Sequence, residues 1–120
     1  MSIRETTITV AVAGSAGVAV GSAVSGAPIH GKIIGFYVDY VTQPATADVT
    51  ITAGTPAATL LTLTNANTDG WFYPRVLLQS TVGANLSAVY DQLAVNGYVT
   101  VAVAQGDAGS VVVTVQYEDD

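Results

Sequence analysis

The chain has 120 residues, enough for one domain, and it contains no cysteine, so disulfides and thiolate metal sites are excluded. Only 10% of its residues are charged, against about 25% in typical globular domains, while 50% are hydrophobic. The net charge is -6, and the only basic side chains are those of Arg4, Lys32 and Arg75. Because a nucleic-acid backbone is bound by several cations on one face, we expect neither DNA nor RNA as a partner.

A surface with so few charges has two explanations. Neutral Thr, Ser, Asn and Gln side chains can cover it, and apolar atoms are common on any protein surface. Alternatively, part of the surface is buried against other subunits, because the cores of protein interfaces are depleted in charge. Composition alone leaves both explanations open.

The amino-terminal region predicts two strands. Residues 3–12 place Ile8, Val10 and Val12 on one face, a turn follows at residues 14–17, and a second strand covers residues 18–24. The apolar run here is interrupted by glycine and serine and has no basic stretch before it, so we expect neither a signal peptide nor a membrane span. Residues 1–7 are interpreted as an amino-terminal arm that adds a strand to a neighbouring subunit.

Residues 32–40 predict the central strand of the domain. With a period of two, Ile34, Phe36, Val38 and Tyr40 lie on one face, and Ile33, Gly35, Tyr37 and Asp39 lie on the other. Both faces are largely apolar, which favours a strand inside a sheet rather than at its edge. Glycine at position 35 allows another group to approach the backbone closely.

The rest of the chain continues this pattern. Strands are predicted at residues 48–53 and 59–64, and Pro74 ends the strand that holds the aromatic run 71–73. Residues 76–91 have apolar side chains near helical spacing, so a short helical turn and a packed loop are both open. The dipeptide Asn96-Gly97 favours a hairpin, and residues 98–104 and 110–117 are predicted to form a final hairpin.

These elements amount to about eight short antiparallel strands and no long helix. The predicted fold is all-β, a single β-sandwich or jelly-roll-like (β-tulip) domain over residues 1–120.

No pattern in the sequence predicts catalysis, a metal or a cofactor. Asn65, Asn67 and Asp69 precede Gly70 as in the first half of an EF-hand loop, but the twelfth position is Val76 instead of a bidentate glutamate. His30 is the only histidine and lacks a nucleophile motif. We therefore expect no enzyme activity, no bound metal and no cofactor.

The aromatic run is the most informative stretch for function. On a strand, Trp71 and Tyr73 point to one face and Phe72 points to the other. Trp, Tyr and Arg are enriched in binding hot spots, and Arg75 follows directly. The alternative interpretation is packing inside the protomer.

The sequence also resembles small structural proteins of tailed bacteriophages, and within them it looks like head decoration, or cement, proteins. The resemblance is carried by residues 31–35 and 38–40, by 48–51, by 63–65 and 67–75, and by the late segments 97–103 and 111–117.

The resemblance implies a β-sandwich or β-tulip domain on the outer surface of the phage head, where it clamps neighbouring subunits of the major capsid protein. It also implies a homo-oligomer, for which a trimer is favoured and a dimer is the alternative. The residues predicted to contact a subunit or the capsid are Ile3, Arg4, Glu5, Thr7, Trp71, Tyr73 and Arg75.

Two other functions are kept as alternatives. One is a different virion component, such as a tail, adaptor or head-fibre protein. The other is a carbohydrate-binding β-sandwich, in which exposed aromatic rings stack on sugars.

Overall fold

The computed structural model describes residues 2–54 and 56–119, and these form eleven β-strands. In chain order they are β1 (Ser2–Val12), β2 (Ala19–Val24), β3 (Ile29–Asp39), β4 (Asp48–Ala53), β5 (Ala58–Leu63), β6 (Gly70–Phe72), β7 (Arg75–Gln79), β8 (Asn85–Gln92), β9 (Ala94–Gly97), β10 (Val99–Gly106) and β11 (Gly109–Asp119). The predicted all-β class is confirmed, with eleven short strands instead of about eight.

Two antiparallel sheets make up the body, and a separate hairpin stands apart from them. One sheet has the order β1-β11-β3-β6, with β9 also paired to β3. The other has the order β2-β10-β4-β5, and within residues 2–54 and 56–119 the strands β7 and β8 pair only with each other. The body is therefore β-sandwich-like. In the part of the chain that the structure covers, no helix is long and apolar enough to cross a membrane.

The core lies between the two sheets and is built from alternate residues of each strand. The predicted inward residues of β1 are buried, which confirms the period-two interpretation of that strand, and on β4 the side chains of Val49, Ile51 and Ala53 are buried in the same alternating way. Other core side chains are β-branched and belong to β10 and β11. Burial of each contributes roughly 1.5–3 kcal/mol to the stability of the fold when it is complete. These are Val99, Val101, Val103, Val111, Val113 and Val115.

Strand β3 is the interior strand that the sequence predicts. It pairs with β11 along one edge and with β6 and β9 along the other. Its alternation, however, is broken by a bulge: Gln116 lies opposite Gly35 and Tyr117 lies opposite Ile33, so Ile34 has no partner on β11. The bulge shifts the alternation by one residue, so different positions face the core before and after it. The prediction that Ile34 and Phe36 lie on one face is therefore wrong.

The two predicted hairpins near the carboxyl end are also wrong. β10 belongs to one sheet and β11 to the other, so the connection between them crosses the sandwich. The same holds at Gly97, where β9 ends in one sheet and β10 begins in the other. A hairpin turn and a connection between the two sheets both join alternating strands through a short link that contains glycine. Local sequence therefore does not distinguish the two kinds of connection.

A buried glutamine holds the crossing between β10 and β11. The side chain of Gln43 accepts a hydrogen bond from Asp107 N–H at 2.9 Å and donates one to the Asp107 carbonyl at 3.0 Å. Gln43 is only 4% exposed. The Asp107 carboxylate in turn accepts the Gly17 N–H at 2.9 Å, so three connections are tied together at this end of the sandwich.

The predicted amino-terminal arm is part of the sheet in this structure. β1 pairs with β11 from Ser2 opposite Asp119 to Val12 opposite Gly109. Residue 1 lies outside the described residues. An exchange of this segment with a neighbour would therefore require breaking an existing ladder.

Candidate functional site: an aromatic face and a projecting hairpin

Two residues of the aromatic run, Trp71 and Tyr73, form an exposed cluster with the half-buried Tyr37 on the outer face of the β1-β11-β3-β6 sheet, and we call these three residues the aromatic face. The Trp71 and Tyr73 rings are nearly parallel, with centroids 6.1 Å apart, and Tyr37 meets Trp71 edge-on at 5.4 Å. Phe72 points the other way and packs against the core. The predicted division of this run between two faces is confirmed.

Strand β6 supplies the geometry of this cluster. Trp71 lies opposite Tyr37 on β3, so the two side chains share a face. Trp71 is 41% exposed and Tyr73 is 56% exposed. Large aromatic side chains that remain this open in a single chain are the kind that interfaces bury.

Arg75 lies at the end of the aromatic run. Its guanidinium donates hydrogen bonds to the carbonyls of Ile34 at 3.1 Å and Pro74 at 2.9 Å. The acceptor Ile34 is the bulged residue of β3, so the bulge turns a carbonyl toward Arg75. This orients an exposed cation beside the aromatic face.

The amino-terminal residues predicted for an interface are divided between two faces. Thr7, Thr114, Tyr37 and Trp71 form one row across the sheet, because each lies opposite the next in the pairing register. Ile3 and Glu5 share this outer face with Thr7 by strand alternation. Arg4 lies on the other side of β1, where it forms an ion pair with Asp119 at 2.8 Å.

The second exposed feature is the β7–β8 hairpin, which the sequence does not predict. Residues 76–91 were expected to form a helical turn or a packed loop, and that expectation is wrong. The hairpin leaves the body between β6 and β9, and every residue from 81 to 91 is exposed. With the hairpin included, the protein is 47 Å along its longest axis, and its radius of gyration of 15.0 Å exceeds the roughly 13.5 Å expected for a compact chain of this length.

The base of the hairpin is attached to the bulged part of β3. Gln92 reaches the Ile33 carbonyl, and the Ile33 N–H donates to the Leu93 carbonyl at 2.8 Å. β6 and β9 pair with β3 on either side of this point. The hairpin is thus an excursion between two short strands that share one edge of β3.

In the loop with partial EF-hand spacing, the side chains of Asp69 and Asn67 make hydrogen bonds within the protomer. The Asp69 carboxylate accepts the Tyr40 N–H at 2.8 Å, and the Asn67 amide donates to the Gln43 carbonyl at 3.0 Å. Asn65, not Gly70, takes the left-handed conformation, with φ 52°. Among residues 2–54 and 56–119, no three His, Cys, Asp or Glu side chains are grouped in a way that could hold a metal ion.

The remaining candidates for chemistry are separate from one another. His30 is exposed, and its Nδ1 contacts the Asn96 side chain. The carboxylates of Asp39 and Asp48 each accept a backbone N–H, from Val41 and Asn65 respectively. Each of these groups makes a local structural contact.

The comparisons with known proteins give no relative: no family model, no curated protein and no solved structure matches the chain.

Proposed function

We propose that the protein is a structural virion protein, specifically a decoration protein that binds the outer surface of a tailed-phage head and stabilises contacts between subunits of the major capsid protein. The resemblance in sequence suggests this role, and a β-sandwich-like body suits it. Such a protein acts by binding alone, so a rigid framework and exposed contact residues are its requirements.

The observation that carries the proposal is the aromatic face with Arg75 beside it. Trp, Tyr and Arg are the residues that most often dominate binding energy when they become buried at the centre of an interface. Here strand pairing holds Trp71, and Tyr73 stacks against the Trp71 ring, so little side-chain entropy is lost when a partner covers them. We therefore assign the aromatic face to the capsid contact.

The net charge of the chain and attachment at several points are both consistent with this assignment. A net charge of -6 disfavours contact with the packaged genome and suits the outer side of the shell. Attachment of a homo-oligomer to several capsid subunits at once also makes weak individual contacts sufficient. The proposed location is the outer surface of the phage head.

The test is a binding assay with expanded and unexpanded capsids of the phage that encodes the chain. We expect the purified protein to sediment with expanded capsids and to raise their melting temperature. Tyr73→Ala should weaken this binding roughly 30-fold or more, as for a hot-spot residue. Tyr98→Ala is the matched control, because Tyr98 is 52% exposed but lies away from the aromatic face. Equal losses in both variants, or no binding by the wild type, would refute the assignment.

A carbohydrate-binding domain is the second candidate, favoured by the nearly parallel Trp71 and Tyr73 rings, which are a suitable surface for stacking on sugars. Binding of glycans by the isolated chain, lost on Tyr73→Ala, would support this candidate. A tail, adaptor or head-fibre role would instead show as co-purification with those parts of the virion.

A further inference from the structure

The β7–β8 hairpin is an exposed apolar projection, and it has no charged residue between Arg75 and Asp91 at its base. No residue from Val76 to Tyr90 is charged, although the chain as a whole carries a net charge of -6. Its exposed apolar side chains lie on both strands and at the tip: Val76, Leu78, Val82, Leu86, Val89 and Tyr90. An isolated two-stranded hairpin is at best marginally stable in water, and contiguous apolar surface of this kind marks an interaction site.

We propose that this hairpin is the self-association element of the protein and that its partner is the same hairpin of a second copy of this chain. The inference rests on the proposed function for the idea of a homo-oligomer. It deepens that function by assigning the contact between protomers to the hairpin and the contact with the capsid to the aromatic face.

Charge favours a second copy as the partner. Two copies with a net charge of -6 each repel one another unless they meet where acidic groups are absent. The hairpin between Arg75 and Asp91 has no acidic residue, so two copies can meet there. A strongly basic or acidic partner would find no counter-charge there and would lose solvation on burial.

The hairpin offers an extended surface for contact. Standard interfaces bury roughly 800 Å² on each partner. Toward such an area the hairpin contributes six apolar side chains, each more than a third exposed, and the backbone of two strands that, within the described residues, pair only with each other. The total accessible surface of 6486 Å² is above the roughly 6,000 Å² expected for a monomer of this mass, which is consistent with a projection that an assembly covers.

The experiment measures the mass of the full chain by light scattering and sedimentation over a range of concentrations. Val82→Asp places a charge at the hairpin tip, where the native side chain is 87% exposed. Val18→Asp is the matched control, since Val18 is 67% exposed in a turn of the body. We expect the wild type and Val18→Asp to be oligomers and Val82→Asp to dissociate with a constant roughly 30-fold or more higher.

A second variant removes the hairpin while keeping the body. Because Val76 and Asp91 are register partners, residues 77–90 can be replaced by Asn-Gly as a two-residue turn. Circular dichroism and thermal melting establish that the body is folded, and we expect the folded variant to be a monomer. If this variant does not fold, the comparison of Val82→Asp with Val18→Asp decides the matter.

The proposal is overturned if the wild type is a monomer at all concentrations, or if the oligomer survives both hairpin changes. These measurements need no capsids, so they are independent of the test of capsid binding. An oligomer that depends on the hairpin but ignores capsids would refute the decoration role and uphold the hairpin contact. A monomer that binds capsids would do the reverse.

Discussion

The ring of Tyr73 lies directly over Gly35, at the point where β3 bulges. A Cβ atom on residue 35 would stand 2.7 Å from Tyr73 Cδ1 and 3.0 Å from the Phe72 carbonyl oxygen. Gly35 is therefore needed for close approach, as the sequence predicts, and not for an unusual φ. The aromatic face depends on a missing side chain in the neighbouring strand.

Gly35→Ala should push Tyr73 away from β3 and lower the free energy of unfolding by about 1–3 kcal/mol, because an added methyl group in a filled site forces its neighbours to move. The measurement is thermal or denaturant unfolding, with Trp71 fluorescence as a local signal. Gly70→Ala in strand β6 is the control, since nothing lies within 4 Å of a Cβ there. If the two variants unfold alike, the proposed contact does not matter for stability.

We expect the buried Tyr40 to make the protein less stable at alkaline pH. Burial, and to a lesser extent the Asp69 carboxylate, raises the pKa of the Tyr40 phenol above its ordinary value of 10.0. Above pH 10 the unfolded chain therefore releases the Tyr40 proton while the folded chain retains it. The free energy of unfolding then falls as the pH rises, whereas the contribution of Tyr40 is fully present below pH 10.

Tyr40→Phe isolates this effect. The Tyr40 hydroxyl is buried and has no hydrogen-bond partner among the residues that the structure describes, so its removal should leave the stability near pH 7 unchanged within about 1 kcal/mol or slightly raised. Melting temperatures between pH 8 and 11 should decline less for this variant than for the wild type. The exposed Tyr98→Phe should follow the wild type; a decline in Tyr40→Phe as steep as that of the wild type would contradict the assignment.

Gln43→Ala should destabilise the protein by about 1–3 kcal/mol, because it leaves the partly buried N–H and carbonyl of Asp107 without their Gln43 partners. Urea unfolding at neutral pH measures the difference. Thr46→Ala is a control in the same connection: its hydroxyl donates to the Gln105 carbonyl at 3.1 Å in an exposed position, and its loss should cost less than about 0.5 kcal/mol. Similar losses from both substitutions would show that the Gln43 contacts are unimportant.

Removal of residues 1–6 distinguishes an edge strand from a free arm. The truncation eliminates the register pairs from Ser2 opposite Asp119 to Thr6 opposite Val115. Each lost backbone hydrogen bond contributes about 0.5–1.5 kcal/mol, so the melting temperature should fall by several degrees. An unchanged melting temperature would mean that this segment is not held in the sheet in solution. Arg4→Ala alone should have little effect, because its ion pair with Asp119 is exposed.

The parts of the fold predicted from sequence are those with one buried face. β1 and β4 have clean alternation because one side of each strand enters the core, and this contrast is visible in the residues themselves. β3 was placed correctly as an interior strand, but the bulge at Ile34 shifts its phase. A bulge inserts one residue without leaving a compositional mark when the inserted residue, Ile34, and the residue before it, Ile33, are both isoleucine.

The β7–β8 hairpin was missed for the opposite reason. It has apolar side chains on both faces and no packed side within the protomer, so its sequence carries no period-two contrast. The near-helical spacing of Val82, Leu86 and Val89 therefore has no structural meaning. The aromatic face was predicted more successfully, because alternation over the three residues 71–73 and the small size of Gly35 are local facts.

The central claim is that the aromatic face and the hairpin are covered by other protein in the working assembly. An electron cryomicroscopy map of the intact particle tests it most directly. We expect Trp71 and Tyr73 to contact the major capsid protein on the outside of the head, and Val82 and Tyr90 to contact another copy of this chain. A map in which all four side chains face open solvent would contradict the claim.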